Sequence, residues 1–208
     1  MTTAAPLLLP HPGAIAQPDG TSTFAIYAPD KQQVALLGDF NAWREDVHPL
    51  EEHLGLWHTT LQLPRGRYHY AFQVDGVRIP DPYAREIVWP TAGAPSSVLT
   101  LGAASFYWKH DTFNRPPYRD LMLYEILVAD FSPEGNFQGV MDRLDHVCEL
   151  GVNAIELLPV AAAPLRTNWG YEPTFLFAPA PRYGTPDDLR RLVDAAHGRD
   201  IAVILDIV

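Results

Sequence analysis

The chain has 208 residues, 47% of them hydrophobic and 19% charged, an ordinary globular balance with room for one or two domains and a sizeable core. Its net charge of −10 comes from 25 acidic and 15 basic residues with no Lys/Arg cluster, which argues against nucleic acid and against an anionic membrane surface while leaving a neutral ligand such as a sugar open. The single cysteine, Cys148, excludes an intrachain disulfide, and no apolar run approaches the roughly 20 residues of a membrane span.

Residues 1–19 are rich in Pro, Ala and Gly without a period and read as a flexible lead-in. The start lacks a basic n-region, and Pro6 and Pro10 break the run Leu7-Leu8-Leu9, so a cytoplasmic protein is the default expectation. From 20 to 104 the pattern is all-β. Short strands are expected at Thr23–Tyr27, Val34–Leu37, Trp57–Leu63, Tyr68–Val74 and Ser97–Leu101, with Tyr68, Tyr70, Phe72 and Val74 on one face. Asp75-Gly76 between extended runs is a hairpin signal, because both central residues of a type I′ turn need positive φ. Such strands with regular turns indicate a small β-sandwich. Residues 105–120, aromatic and Pro-rich, read as a linker packed on its neighbours.

From 121 the pattern becomes strand and helix in alternation. Leu121–Val128 is an apolar strand interrupted by Glu125. Val140, Met141, Leu144, Val147 and Cys148 follow at helical spacing, and Gly151 is placed to end that helix. Cys148 then sits on the helix's apolar face as a small buried hydrophobe. Asn153–Leu158 is a second strand, and a long loop runs from Pro159 to Gly184. Thr185-Pro186-Asp187-Asp188 opens a helix: the hydroxyl caps free N–H groups, Pro suits the first turn, and the carboxylates face the positive end. Leu189, Leu192, Val193 and Ala196 form its buried face, and Ile201–Val208 is a third strand. The order β-α-β-α-β builds a parallel sheet with right-handed crossovers. An apolar strand reaching Val208 without a polar cap implies a chain truncated within a larger domain.

Two groups of motifs resemble known families. Phe24–Pro29 through Gly38-Asp39-Phe40-Asn41-Ala42-Trp43, with Tyr70–Gly76 and Asp81-Pro82-Tyr83-Ala84, resembles the immunoglobulin-like modules of carbohydrate-binding module family 48. Leu123-Tyr124-Glu125-Ile126, Ser132–Phe137, Gly151–Val160, Asn168-Trp169-Gly170-Tyr171-Glu172-Pro173, Tyr183–Pro186 and Ile204–Val208 resemble the opening of a glycoside hydrolase family 13 barrel. The resemblance covers roughly residues 20 to 208, with the motifs in family order. It implies an all-β immunoglobulin-like sandwich at 20–104 and the first part of a (β/α)8 barrel at 121–208. It also implies an enzyme of the α-amylase superfamily that cleaves or transfers α-1,4-glucosidic bonds with retention, as an amylase, branching enzyme or trehalohydrolase. The partner implied is an α-glucan: starch, glycogen or a maltooligosaccharide.

The family's reacting carboxylates lie on strands four, five and seven, outside these residues, so no catalytic residue is assigned and the chain alone is expected to be inactive. Glu125, Glu156 and Asp206 are not substitutes for them. By the resemblance, Tyr171 stacks on the sugar, and Asn168 and Trp169 line the same pocket. Glu156 reads as a structural carboxylate, because an unpaired charge within an apolar strand is costly. Asp206 reads as an organiser of neighbouring polar groups. Trp43 and Trp57 form a possible glucan platform on the β-module, although the positions that hold Lys and an aromatic in glucan-binding members hold Ala71 and Arg78 here. The eight histidines include no i, i+4 pair, and there is no Gly-rich phosphate loop, so neither metal nor cofactor is expected. The competing readings are a non-catalytic glucan-binding module and a structural fragment.

Overall fold

The computed structural model describes residues 9–90, 94–163 and 169–207. The chain divides into two compact units, one comprising residues up to Ala84 with Val88–Ala103, the other Arg85–Ile87 with the residues from Ala104 onward.

In the first unit the strands are β1 (Gly13–Ala16), β2 (Thr21–Tyr27), β3 (Val34–Gly38), β4 (Glu51–His53), β5 (Leu56–Gln62), β6 (Gly66–Val74), β7 (Val77–Ile79), β8 (Ile87–Val88) and β9 (Ser96–Leu101). One sheet runs β1-β2-β5-β4 and the other β3-β6-β9-β8, with β7 added to β6. Phe24, Ile26 and Trp57 from the first sheet meet Leu36, Tyr70, Phe72 and Leu99 from the second in one core. Burying such a side chain contributes about 1.5–3 kcal/mol each, which is what holds two sheets of otherwise polar turns together. The hairpin between β6 and β7 turns on Asp75 (φ 47°) and Gly76 (φ 81°), as the Asp-Gly signal predicts.

The flexible lead-in expected over residues 1–19 needs correction, because Gly13–Ala16 is a strand. It pairs antiparallel with β2 from Gly13↔Ala25 to Ala16↔Ser22. The turn is closed by the Asp19 carboxylate, which accepts the Thr21 N–H at 2.9 Å and its hydroxyl at 2.7 Å. Gly13 has φ 109°, and a Cβ there would lie 3.3 Å from that of Tyr83. Glycine admits the strand into that gap.

The second unit contains β10 (Leu123–Ile126), three short helices α1 (Val128–Phe131), α2 (Phe137–Met141) and α3 (Leu144–Glu149), β11 (Ala154–Leu157), the pair β12 (Ala161–Ala162) and β13 (Phe175–Pro179), α4 (Pro186–His197) and β14 (Ala202–Leu205). The order β10-β11-β14 is parallel throughout, with Glu125 opposite Glu156 and Glu156 opposite Ile204. Ile126, Ile155 and Leu157 face the helices, where they pack with Val140, Leu144, Val147, Leu192 and Ala196. Cys148 is half-buried against that cluster, a small packing residue.

Three expectations change in detail. The single helix of Val140–Cys148 is two helices, the first begun by Asn136, whose side chain accepts the Gly139 N–H at 2.9 Å. The long loop of 159–184 contains the antiparallel β12–β13 pair. On α4 the buried face includes Asp194 beside Leu192 and Ala196, while Val193 is only half-buried. Asp194 tolerates burial because its Oδ1 accepts the backbone N–H groups of Lys109 and His110 at 2.9 and 3.0 Å. The Thr185 cap forms as expected, and Asp188 makes it reciprocal: each side chain accepts the other's backbone N–H in a capping box. No helix among the described residues is long and apolar enough to cross a membrane.

Candidate functional site

The parallel register places Glu125, Glu156 and Ile204 on the sheet face opposite the helices, and Asp206, two residues beyond Ile204, continues that parity. The Asp206 N–H donates to the Leu157 carbonyl at 3.0 Å, fixing the carboxylate just past the C-terminal ends of the strands. Tyr171 reaches the same place from the β12–β13 connection. Its hydroxyl donates to Asp206 Oδ2 at 2.7 Å. Gly170 makes the approach possible: it adopts φ 93°, and a Cβ there would collide with the Pro159 carbonyl oxygen.

The hydrogen bond to Asp206 raises the Tyr171 phenol above its usual value, followed by desolvation and by the negative charges of Asp206, Glu125 and Glu156. The phenol therefore stays protonated and keeps donating through neutral pH. Glu125 has no site role in the sequence motifs, yet the fold sets it on the same face as Glu156 and Asp206. The signal that could have found it is the cross-strand register with Glu156, which appears only once the pairing is known. The sites predicted at Tyr171, Glu156 and Asp206 are thus brought together. Trp169 adopts φ 49° and is 63% exposed next to Gly170. Asn168 lies outside the described residues.

A small cleft of about 170 Å³ adjoins Asp206, lined by Pro159, Leu176, Phe177, Leu189 and Leu205. Its walls are apolar apart from Asp206, and Tyr171, Glu125 and Glu156 are not among them. It lacks the converging polar groups that orient a sugar. Among the described residues, no group of three or more His, Cys, Asp or Glu side chains could hold a metal ion.

In the first unit the pair Trp43 and Trp57 does not form a common exposed face. Trp57 is 8% exposed in the core, and its indole N–H donates to the Ala28 carbonyl at 2.9 Å. This corrects its place in the platform: a buried indole with a satisfied N–H is a packing group. Trp43 is half-buried at φ 61°, with its N–H on Asp39 Oδ1 at 3.2 Å and the Arg78 guanidinium 4.0 Å above its ring. Asn41 holds the loop rigid by accepting the Gly38 N–H and donating to the Leu36 and Arg44 carbonyls.

Asp81 is fully buried. It accepts the Tyr70 hydroxyl at 2.6 Å and the Tyr83 N–H at 2.8 Å, while its own N–H donates to Ser97 Oγ at 2.7 Å. Burial pushes its carboxyl up to about 6 against the opposing effect of the two donors.

Residues 94–208 match the family described as the alpha amylase catalytic domain. The chain belongs to the alpha-amylase family. Residues 12–84 match carbohydrate-binding module 48, the isoamylase N-terminal domain. Among curated relatives, a 1,4-alpha-glucan branching enzyme from Xanthomonas euvesicatoria is 38% identical over 204 residues, covering 89% of this chain and 27% of that protein. A malto-oligosyltrehalose trehalohydrolase from Deinococcus radiodurans is 38% identical over 149 residues, covering 71% and 24%. A crystal structure assigned to an alpha amylase from Salmonella typhimurium superposes with a TM-score of 0.81 at 30% identity, over 96% of this chain and 33% of that one. The chain thus spans about a quarter of the length of the curated relatives, 27% of the branching enzyme.

Proposed function

We propose that the protein acts on α-1,4-glucosidic bonds of an α-glucan, as a retaining hydrolase or transglycosidase of amylase or branching-enzyme type. In this reading the first unit is an immunoglobulin-like module and the second is the opening of a (β/α)8 barrel, whose sites lie at the C-terminal strand ends. The observation that carries the reading is the Tyr171 hydroxyl held by Asp206 at that end of the parallel sheet, within a segment that matches the amylase catalytic domain.

The ring of Tyr171 offers a flat apolar face to the C–H side of a pyranose, and Asp206 fixes its tilt by accepting the hydroxyl proton. Trp169, exposed beside Gly170, contributes to the same sugar site. Glu156 and Asp206 hold polar groups in place and take no part in bond breaking. Retention needs one carboxylate as nucleophile and a second as acid and then base, with an oxocarbenium-like transition state between. The family places those groups on strands four, five and seven, and they are not among these 208 residues.

Two experiments test this reading. The 208-residue chain incubated with soluble starch generates no reducing ends above a blank; turnover by preparations free of other amylases would contradict the assignment of no catalytic residue. In the protein carrying all the barrel strands, Tyr171→Ala lowers kcat/KM on maltooligosaccharides by about ten- to a hundredfold, the loss of about 1–3 kcal/mol of transition-state binding. An unchanged kcat/KM would make Tyr171 a loop-packing residue.

A further inference from the structure

Although the chain carries 25 acidic residues against 15 basic ones, three cations line one groove of the second unit that shares no residue with the Tyr171 site. The groove, open to solvent, has a volume of about 620 Å³ between segment 106–110, Met141 of α2, the Arg191, Asp194 and Ala195 side of α4, and Gly198 and Arg199 just beyond it. Lys109, Arg191 and Arg199 supply its charge and Tyr107 its aromatic surface. These residues lie far apart in sequence, so no basic run announces them.

The groove is held in place by its own contacts. Asp194, 7% exposed, fixes segment 106–110 through the Lys109 and His110 N–H groups. The His110 ring sits over Gly198, where an added Cβ would come within 2.7 Å of it. Phe106 packs edge-on against Trp108 at 4.8 Å. These contacts leave Tyr107 80% exposed on an anchored backbone.

The cations are available. Among the described residues Lys109 has no ion pair, and it is one of only two lysines in the chain, with Lys31. Arg191 pairs with Asp188, and Arg199 with Asp145 at 2.7 Å, but neither acid lines the groove and the Asp145 side chain is 81% exposed. The Arg199–Asp145 pair, with its acid in solvent, is worth about 0–1 kcal/mol, and Asp188, 26% exposed, keeps its Thr185 contacts if Arg191 turns away. A dianionic phosphate offering bidentate hydrogen bonds competes well for both guanidiniums. Asp194 is the one acid in the wall, and its carboxylate already accepts two N–H groups.

We propose that this groove binds the phosphate monoester of a sugar, with Lys109, Arg191 and Arg199 on the phosphate and Tyr107 against the C–H face of the ring. The site stands apart from the glucan reading, since neutral glucan has no phosphate for the three cations.

The test is titration of the 208-residue chain at low ionic strength, followed by the backbone amide resonances of Ala195 and Gly198 and by calorimetry. Glucose 1-phosphate, inorganic phosphate and maltose are the three probes. Glucose 1-phosphate is expected to bind saturably, at least about threefold tighter than inorganic phosphate, with maltose leaving these amides unmoved. Lys109→Gln and Arg199→Gln each weaken it by about tenfold with an unchanged circular dichroism spectrum, and Tyr107→Ala removes the preference over inorganic phosphate. The proposal is overturned by absence of saturable binding, by equal affinity for the two phosphates, by maltose moving the same amides equally, or by indifference to both charge substitutions in folded protein.

Discussion

Replacing Asp81 with asparagine removes a charge from the interior of the first unit while keeping the shape of the group that holds it. Asp81 is fully buried, and its carboxyl is pushed from 3.8 to about 6. Because the folded value lies above the unfolded one, the protonated form is favoured by folding. This contribution to stability is fully present below the unfolded value, declines as pH rises through the interval from 3.8 to about 6, and is flat above it. The shift of about two pH units corresponds to about 3 kcal/mol. The substituted amide can accept the Tyr83 N–H with its oxygen and donate its own N–H to the Tyr70 oxygen, while the Tyr70 O–H, which loses its carboxylate acceptor, turns to the neighbouring Ser97 hydroxyl. The expected outcome is that Asp81→Asn stabilises the first unit by about 2–3 kcal/mol near neutral pH and by about nothing near pH 4. Exposed carboxylates elsewhere titrate alike in both proteins and cancel in the difference. Hydrogen exchange of β6 and β9 amides measures the opening free energy of this unit directly. A variant-minus-wild-type difference independent of pH, or a variant less stable at neutral pH, would refute the reasoning and mark the ionised Asp81 as a net stabilising acceptor. Asp81→Ala serves as the contrast, since it strands the buried Tyr70 hydroxyl at a cost of about 1–3 kcal/mol.

In the second unit, Asp206→Asn is expected to bring the Tyr171 phenol back down towards 10, because it removes the largest cause of its raised value; a 13C NMR titration of the Tyr171 ring shows this, and an unshifted midpoint would mean that Asp206 does not hold the phenol. Gly170→Ala is expected to open the 169–173 segment and break the Tyr171–Asp206 bond at a strain cost of about 1–3 kcal/mol, read as faster exchange at the Asp206 amide with β2 and β6 unaffected.

Much of this architecture was legible because its signals are local. The period-two run Tyr68–Val74, the Asp75-Gly76 turn and the Thr185 cap each encode their structure within a few residues, and all three form. What was missed depends on partners distant in sequence. Gly13–Ala16 has no alternating pattern of its own and becomes a strand by lying along β2. Phe175–Pro179 pairs with only two residues, across a register shift that no periodicity reveals. Trp57 carries an aromatic face that suits a glucan platform or a core equally, and only the fold decides: the Ala28 carbonyl accepts its N–H and the indole goes inside. At the candidate site, Tyr171 and Asp206 were legible individually through family motifs. Their hydrogen bond, and the position of Glu125 near them, follow from strand register. Asp194 is not part of the buried face expected from Leu189, Leu192, Val193 and Ala196; it is buried because it accepts two N–H groups from segment 106–110.

The Asp75 turn has a further effect on how the first unit assembles. Its carboxylate accepts the N–H groups of both Gln32 and Gln33 at 2.9 Å, and its own N–H donates to the Gln33 carbonyl. A hairpin such as β6–β7 closes within about 1–10 μs, long before distant strands find their partners. Once it has closed, Asp75 is a preformed docking point for the residues just ahead of β3, and the register from Val34↔Val74 to Gly38↔Tyr70 can zip from that end. One side chain thus joins the fastest step of assembly to one of the slower long-range pairings, so a substitution at this exposed turn acts on the folding rate of the unit as well as on the geometry of its bend.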